Sequence, residues 1–317
     1  MHTTTDKVLA IITSHNPDVH FVDRVAILAL QVSKIVVVDN ASKKNSRGVL
    51  RQLSKKIKNL ELVLNTSNRG VGAALNQGIR IGIDEGYKWI LTMDQDSCPA
   101  SDMVSTLLAV SDDITDEEQI AIIAPIPKDP SFLHNYTFLR RRYGFLFERI
   151  PCSNHILEDV TIVINSGALH KVAVIKKMNG FREDFFIDYI DTEYCLRILE
   201  EGLKIIVSCD SSVEHRLGNQ KSRRIGSVEL FPTFHPPIRW YYISRNRIPM
   251  LLKYALRFPH WFSFEIISSI YLFIRMLLFE DRRSLKLQAF FFGTRDGLRG
   301  SMGEIPPELA KKLIEEH

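Results

Sequence analysis

Two hydrophobic periods alternate through the first hundred residues, and this alternation constrains the chain more than any other feature. Short β-branched runs, Val8–Thr13, Ile35–Asp39, Leu60–Leu64 and Trp89–Met93, are separated by stretches with helical spacing such as Val22–Leu30 and Gly70–Ile83. Strands that alternate with helices pair in parallel, because each helix carries the chain back to the same end of the sheet. The expectation is an α/β fold with a mostly parallel central sheet, whose ligands gather beyond the carboxyl ends of the strands. The apolar runs Ile120–Ile126 and Val160–Ile164 read as further strands. Glu193–Glu201 reads as a short helix that ends at Gly202, before a strand at Lys204–Val207. With 317 residues, 45% of them apolar, the chain can bury a sizeable core, which excludes a disordered or disulfide-dependent scaffold.

Composition changes along the chain. Gly218–His260 holds eight lysines and arginines against the single acid Glu229, a balance of +7, which leaves −3 for the rest of a chain whose formal charge is +4. Trp261–Phe279 follows, with only Glu265 and Arg275 as charges, too interrupted for a good spanning helix. At about 100° per residue, Glu265, Ser268, Ser269 and Arg275 gather on one side, opposite Phe264, Ile266, Ile267, Ile270, Phe273, Ile274 and Leu277. Such a helix either packs on the first domain or lies in a membrane interface beside the basic segment. The domains are accordingly read as 1–217 and a helical C-terminal appendage, 218–317. Cys98, Cys152, Cys195 and Cys209 show neither C-x-x-C nor zinc-ligand spacing, so thiols in a reduced compartment are expected. The apolar stretch Val8–Ile12 is shorter than the core of a signal peptide, so export is not expected.

Five short segments carry the chemistry. In Asp94-Gln95-Asp96-Ser97 two carboxylates at i and i+2 follow an apolar strand, where paired hard oxygens suit a divalent cation that bridges phosphates, or else are solvated turn acids. Asp39, at the head of Asp39-Asn40-Ala41-Ser42, ends the second strand; its carboxylate can read a base or ribose hydroxyl, or it can form an Asx-turn. Asn68-Arg69-Gly70-Val71-Gly72 opens a helix whose first N–H groups could receive phosphate. It lacks the third glycine of a dinucleotide fingerprint and does not follow the first strand, which demotes a nicotinamide dehydrogenase. Asp188, Asp191 and Glu193 open another helix, where they can cap it, pair with Arg197 at i+4, or supply a general base. His215, after a strand, is either a hydrogen-bonded loop residue or the imidazole of a mixed Asp/His metal site.

In their order, D-N-A-S at 39–42, N-R-G-V-G-A-A-L-N at 68–76, D-Q-D-S at 94–97, F-F-I-D-Y-I-D-T-E-Y-C-L-R at 185–197 and E-H-R-L-G at 214–218 resemble the family 2 inverting glycosyltransferases. With Tyr241-Tyr242-x-x-Arg245-Asn246 and Arg295-Asp296-Gly297-Leu298 downstream, they are most similar to bacterial dTDP-rhamnosyltransferases of O-antigen and polysaccharide assembly. The resemblance covers about Val8 to Gly303 and implies a GT-A-like nucleotide-binding fold. It implies that Asp39 contacts the nucleotide base, that the backbone near Thr13 and the side chain of Arg69 lie at the nucleotide, and that Asp94 faces ribose or metal. Asp96, with His215, would hold Mg²⁺ or Mn²⁺ on the diphosphate, and Asp191 would be the catalytic base. Many family members carry Glu-Asp where this chain has Ile190-Asp191, which leaves open a share of that role for Asp188. Arg239, Tyr242, Arg245 and Asn246 would close over the diphosphate or acceptor, or form a solvated basic face.

The implied reaction is inverting transfer of a sugar, L-rhamnose from dTDP-L-rhamnose, to a lipid-linked saccharide by a cytoplasmic enzyme peripheral to the inner face of the membrane. No nucleic acid is expected among the partners. Other nucleotide sugars, a sugar nucleotidyltransferase and a noncatalytic saccharide-binding protein are the competing readings. The nucleotidyltransferase expects a glycine-rich loop after the first strand, where this chain has Ser14-His15-Asn16-Pro17.

Overall fold

In a computed structural model, residues 8–113, 117–129, 136–215, 223–225, 228–230 and 232–314 of the chain are described. They form two compact units. The first comprises residues 1–140, 149–183 and 190–216; the second takes 141–148, 184–189 and 217–317. Two short segments from the middle of the sequence thus belong with the C-terminal part, which a contiguous division at 217 does not provide.

The first unit opens with β1 (Val8–Ser14), α1 (Phe21–Ala29), β2 (Lys34–Asp39), α2 (Lys44–Lys56), β3 (Leu60–Leu64), α3 (Val71–Asp84) and β4 (Trp89–Asp94). It continues through β5 (Cys98–Pro99), α4 (Met103–Asp113) and β6 (Ile120–Lys128), then the hairpin β7 (Thr137–Tyr143) and β8 (Leu146–Pro151), whose tip belongs to the second unit. After β9 (Ile156–Leu157) come β10 (Ala168–Lys171), α5 (Val172–Lys177), α6 (Ile190–Glu200) and β11 (Lys204–Glu214). The sheet runs β3-β2-β1-β4-β10-β6-β11-β5, with β9 beside β11. Strands β1 to β4 are mutually parallel, β10 enters antiparallel to both β4 and β6, and β11 is parallel to β6. Val8, Leu9, Ala10 and Ile11 have no exposed surface, as expected of a strand covered on both faces. In register, Thr13 stands opposite both Val38 and Asp94, so β1, β2 and β4 end level with one another.

The strand expected at Val160–Ile164 does not form: Val160 makes an isolated bridge to Arg140, and Ala168–Lys171 takes the place in the sheet. A turn at Asn165–Gly167 sets this entry. Gly167, at φ +82°, donates its N–H to Thr92 O at 2.8 Å, and Thr92 Oγ1 donates to Asn165 O at 2.6 Å. The thiol expectation is also corrected. Cys152 and Cys209 form a disulfide, because pairing of Ile156 and Leu157 with Ser208 and Val207 lays residues 57 apart in sequence side by side. Cys98 and Cys195 are free thiols.

The second unit contains the strand pair β12 (Arg223–Ile225) and β13 (Val228–Leu230), followed by α7 (Pro237–Tyr254), α8 (Pro259–Phe279), α9 (Arg283–Leu298) and α10 (Pro307–Ile314). Its core gathers Trp240, Tyr241, Tyr242, Met276, Ala289, Ile305 and Leu313. Helix α9 meets α7 at Gly293 and Gly297, where a Cβ would overlap the carbonyl oxygens of Tyr241 and Arg245 respectively. Tyr241 donates its hydroxyl to Asp296 Oδ2 at 2.9 Å across the same contact. That pairing is what the R-D-G-L segment does.

Candidate active site

The carboxyl end of the first unit's sheet is stitched together by side chains that bond to main chain. Gln95, between the two acids of D-Q-D, accepts the N–H of His15 at 2.7 Å through Oε1 and returns Nε2 to His15 O at 3.3 Å. Arg24 Nε donates to Gln95 O at 2.9 Å. Ser42 Oγ accepts the N–H of Asn16 at 2.7 Å, and Asn16 Oδ1 accepts that of Lys43 at 2.8 Å. The exits of β1, β2 and β4 therefore form one rigid rim. Thr13 contributes its strand backbone to this rim and remains partly exposed.

Asp39 lies beneath the rim with no exposed surface. Its oxygens accept Ser42 N–H at 3.1 Å, the Ser42 hydroxyl, and the Ser14 hydroxyl at 3.4 Å, and Arg47 Nε stands 3.3 Å away. Buried among these partners, Asp39 accepts the N–H three residues on and holds the loop that follows β2. Arg69, by contrast, is exposed. Its N–H reaches Asn40 Oδ1 at 3.4 Å, while Asn40 Nδ2 donates to Gly70 O at 2.9 Å and Asn65 Nδ2 to Asn40 Oδ1 at 3.0 Å. Gly70, at φ +82°, turns the chain into α3 without a side-chain cap.

Asp94, Asp96 and His215 converge. One ligand atom of each lies within 4.8 Å of the others, with His215 Nδ1 at 3.9 Å from Asp94 Oδ2 and 4.0 Å from Asp96 Oδ1. Register places them: β4 ends at Asp94, and β11 ends at Glu214, after which His215 N–H still donates to Lys128 O at 3.0 Å. Ser97 Oγ lies 2.7 Å from His215 Nδ1 and fixes the ring. Two accessible carboxylates and one imidazole are a donor set that fits Mn²⁺ or Mg²⁺, hard cations that keep open positions for phosphate oxygens. Among the described residues this is a candidate metal centre at the place where an α/β sheet takes its ligands.

Asp191 stands in the first turn of α6, partly exposed, and accepts Thr192 N–H at 2.7 Å. The acid beside it has a different occupation. Glu193 is buried and paired with Arg197 at 2.9 Å, and Arg197 also donates to Gly180 O at 2.8 Å and to Met178 O. This pair anchors α6 to the loop before it.

In the second unit Arg239, Tyr242, Arg245 and Asn246 gather around the loop 184–189. Phe186, Asp188 and Tyr189 all have φ between +63° and +65°, a region that non-glycine residues adopt only when their surroundings enforce it. Asn246 Nδ2 donates to Phe185 O, Ile187 O and Asp188 O at 2.8–3.0 Å, and Arg245 donates to Phe185 O at 2.9 Å and to Gly303 O. Tyr242 stacks on Phe186 at 5.2 Å and accepts Ile305 N–H at 2.9 Å. Tyr242, Arg245 and Asn246 are buried, and they clamp a strained loop. Arg239 is bound to Asp188, Nη2 to Oδ1 at 2.9 Å and Nε to Oδ1 at 3.1 Å. Arg247 pairs with Glu265 at 2.9 Å and holds the Tyr189 hydroxyl at 3.0 Å. Of the cations in the +7 segment, Arg245 and Arg247 are thus internal, whereas Lys253 and Arg257 are exposed and Lys221 lies outside the described residues. Sequence reasoning missed Gln95, Arg247 and the clamping role of Asn246; the polar residue between two acids was the visible signal for the first.

Residues 10–177 match the family model for glycosyl transferase family 2. The chain is 27% identical over 304 residues, 94% of its length and 97% of the relative's, to the dTDP-rhamnosyl transferase RfbF of Shigella flexneri. Among solved structures it resembles the mannosyltransferase PcManGT of Pyrobaculum calidifontis in complex with GDP-Man and Mn²⁺, at TM-score 0.54 and 15% identity, over 98% of this chain and 79% of that one. It also resembles S. aureus TarS, at TM-score 0.54 and 14% identity, over 96% of this chain but spanning about half (50%) of TarS. With a GT-A-like sheet, a convergent Asp-Asp-His group at its carboxyl edge and a family match over more than half its length, the chain belongs to glycosyl transferase family 2 and is a glycosyltransferase.

Proposed function

We propose that the protein transfers L-rhamnose from dTDP-L-rhamnose to a saccharide hydroxyl carried on a lipid, with inversion at the anomeric carbon, at the cytoplasmic face of the membrane. The convergence of Asp94, Asp96 and His215 on the rim formed by β1, β2 and β4 carries the reading of the reaction. The name of the S. flexneri relative supports the donor. Asp94, Asp96 and His215 would hold Mn²⁺ or Mg²⁺, and the cation supplies neutralisation of the negative charge that grows on the departing diphosphate. Arg69 and the helix start at α3 would offer further positive potential to the nucleotide. Asp39 acts from below, by fixing the loop at Ser42 that walls the base site.

Asp191 is the base. It takes the proton of the acceptor hydroxyl as that oxygen forms its bond to the anomeric carbon, and the bond from that carbon to the diphosphate oxygen breaks on the opposite face, releasing dTDP. One displacement gives inversion, and no side-chain nucleophile is needed. Asp188 is engaged at both oxygens by Arg239, which gives that acid a structural part in the loop 184–189.

The test is a donor panel. Purified protein, Mn²⁺ and a saccharide acceptor are incubated in turn with dTDP-L-rhamnose, UDP-sugars and GDP-sugars, and the new linkage is read by NMR. Product from dTDP-L-rhamnose with inverted anomeric configuration is expected. Turnover confined to a UDP- or GDP-sugar, or retention of configuration, contradicts the reading.

A further inference from the structure

Helix α8 is built inside out for a protein in water. Its two charges, Glu265 and Arg275, are 8% and 9% exposed, whereas Ile267, Ile270 and Ile274 are 57%, 54% and 47% exposed. It is 21 residues long, its most apolar 18-residue window has mean hydropathy 1.7, and only 17% of that window is buried. Length and composition would let it cross a bilayer, but its inner side is committed: Glu265 is paired with Arg247 and the Tyr189 hydroxyl, and Met276 sits in the core of the second unit. Drawing α8 into a span would strip Arg247 of its partner, at a cost that a helix lying flat avoids.

The hairpin tip repeats this pattern. Tyr143, Phe145 and Leu146 are 80%, 63% and 59% exposed around Gly144, and they are preceded by exposed Arg141 and Arg142. The tip is fastened to α8 within the second unit, with the Phe147 ring 5.5 Å from that of Phe264, edge to face. Exposed aromatic and aliphatic side chains beside arginines are the chemistry of the interface between lipid headgroups and acyl chains: the apolar groups enter the boundary and the guanidiniums meet anionic phosphates.

We propose that the hairpin tip 141–146 and the outer face of α8 form one surface that docks on an anionic phospholipid bilayer, with the tip inserted and α8 lying in the interface. The choice of partner rests on the reading that the acceptor is carried on lipid; the donor chemistry does not enter it. The charge of Arg141 and Arg142 favours a bilayer over an apolar protein face.

The test is flotation of the full chain with vesicles of phosphatidylcholine alone or of phosphatidylcholine with phosphatidylglycerol. Recovery with the anionic vesicles is expected, weakened when salt is raised to about 0.5 M. Phe145→Ser with Leu146→Ser, and separately Ile270→Ser with Ile274→Ser, should each lower the bound fraction at least about fivefold. Arg141→Glu with Arg142→Glu should abolish the preference for the anionic lipid. Transfer to a water-soluble saccharide should be unchanged in all three variants, which separates failure of this proposal from failure of the transfer reading. Failure of the wild-type chain to float, equal flotation of the variants, or loss in those variants of a dimer seen by sedimentation velocity would overturn it, the last by making a second copy of the chain the occupant.

Discussion

At the scale of single residues, the least comfortable group is His170. It lies in β10 with 1% exposure, Nε2 stands 3.0 Å from Thr92 Oγ1, and Nδ1 finds no partner among the described residues. Burial pushes its pKa down to about 3. A histidine that stays neutral in the fold and charges near pH 6.5 in the unfolded chain stabilises fully above that pH, and its contribution is lost as pH falls from about 6.5 towards about 3. Between pH 7 and pH 5 this group alone should remove about 2 kcal/mol. Urea unfolding at the two pH values should show that loss, and His170→Phe should reduce the slope by close to one proton; an unchanged slope contradicts the assignment. Glu193 is the other exacting residue. Arg197→Ala would remove the guanidinium that pairs with its buried carboxylate, and a loss of about 3–5 kcal/mol is expected in the same measurement.

At the scale of elements, the loop 184–189 and the contact of α7 with α9 account for the second unit. Asn246→Ala removes the donor to three carbonyls of a loop held at positive φ and should cost about 2–3 kcal/mol in thermal or urea unfolding. Gly293→Ala places a methyl against Tyr241 O and Ser244 Oγ, with an expected cost of about 1–3 kcal/mol. Neither feature was legible in the sequence, and the reason is physical. Arg245 and Asn246 look like members of a basic, solvated run until tertiary contacts bury them against main-chain carbonyls, and charge counting cannot distinguish an internal guanidinium from a surface one. The parallel strands β1, β2 and β4 were legible because they are buried on both faces and written as continuous apolar runs. Strand β10 was not: Ala-Leu-His-Lys carries no period, and its place follows from the turn at Gly167. Asp94, Asp96 and His215 were legible as types at strand ends, while Asp39 was legible only as two alternatives.

At the scale of the whole molecule, the first unit carries the rim, the Asp-Asp-His group and Asp191, and the second carries the clamped loop and the outward apolar helix, each folded around its own core. The chain passes from the loop at Tyr189 directly into α6 at Ile190, one residue before the proposed base. The claim on which the account turns is that Asp191 removes the acceptor proton while the donor is held elsewhere on the first unit. Single-turnover transfer by Asp191→Asn, beside calorimetry of dTDP binding in Mn²⁺, tests it directly. The account predicts a rate lower by about 10²–10⁴ with the dissociation constant changed by less than about twofold; a variant that transfers at the wild-type rate, or that loses nucleotide binding along with transfer, would contradict it.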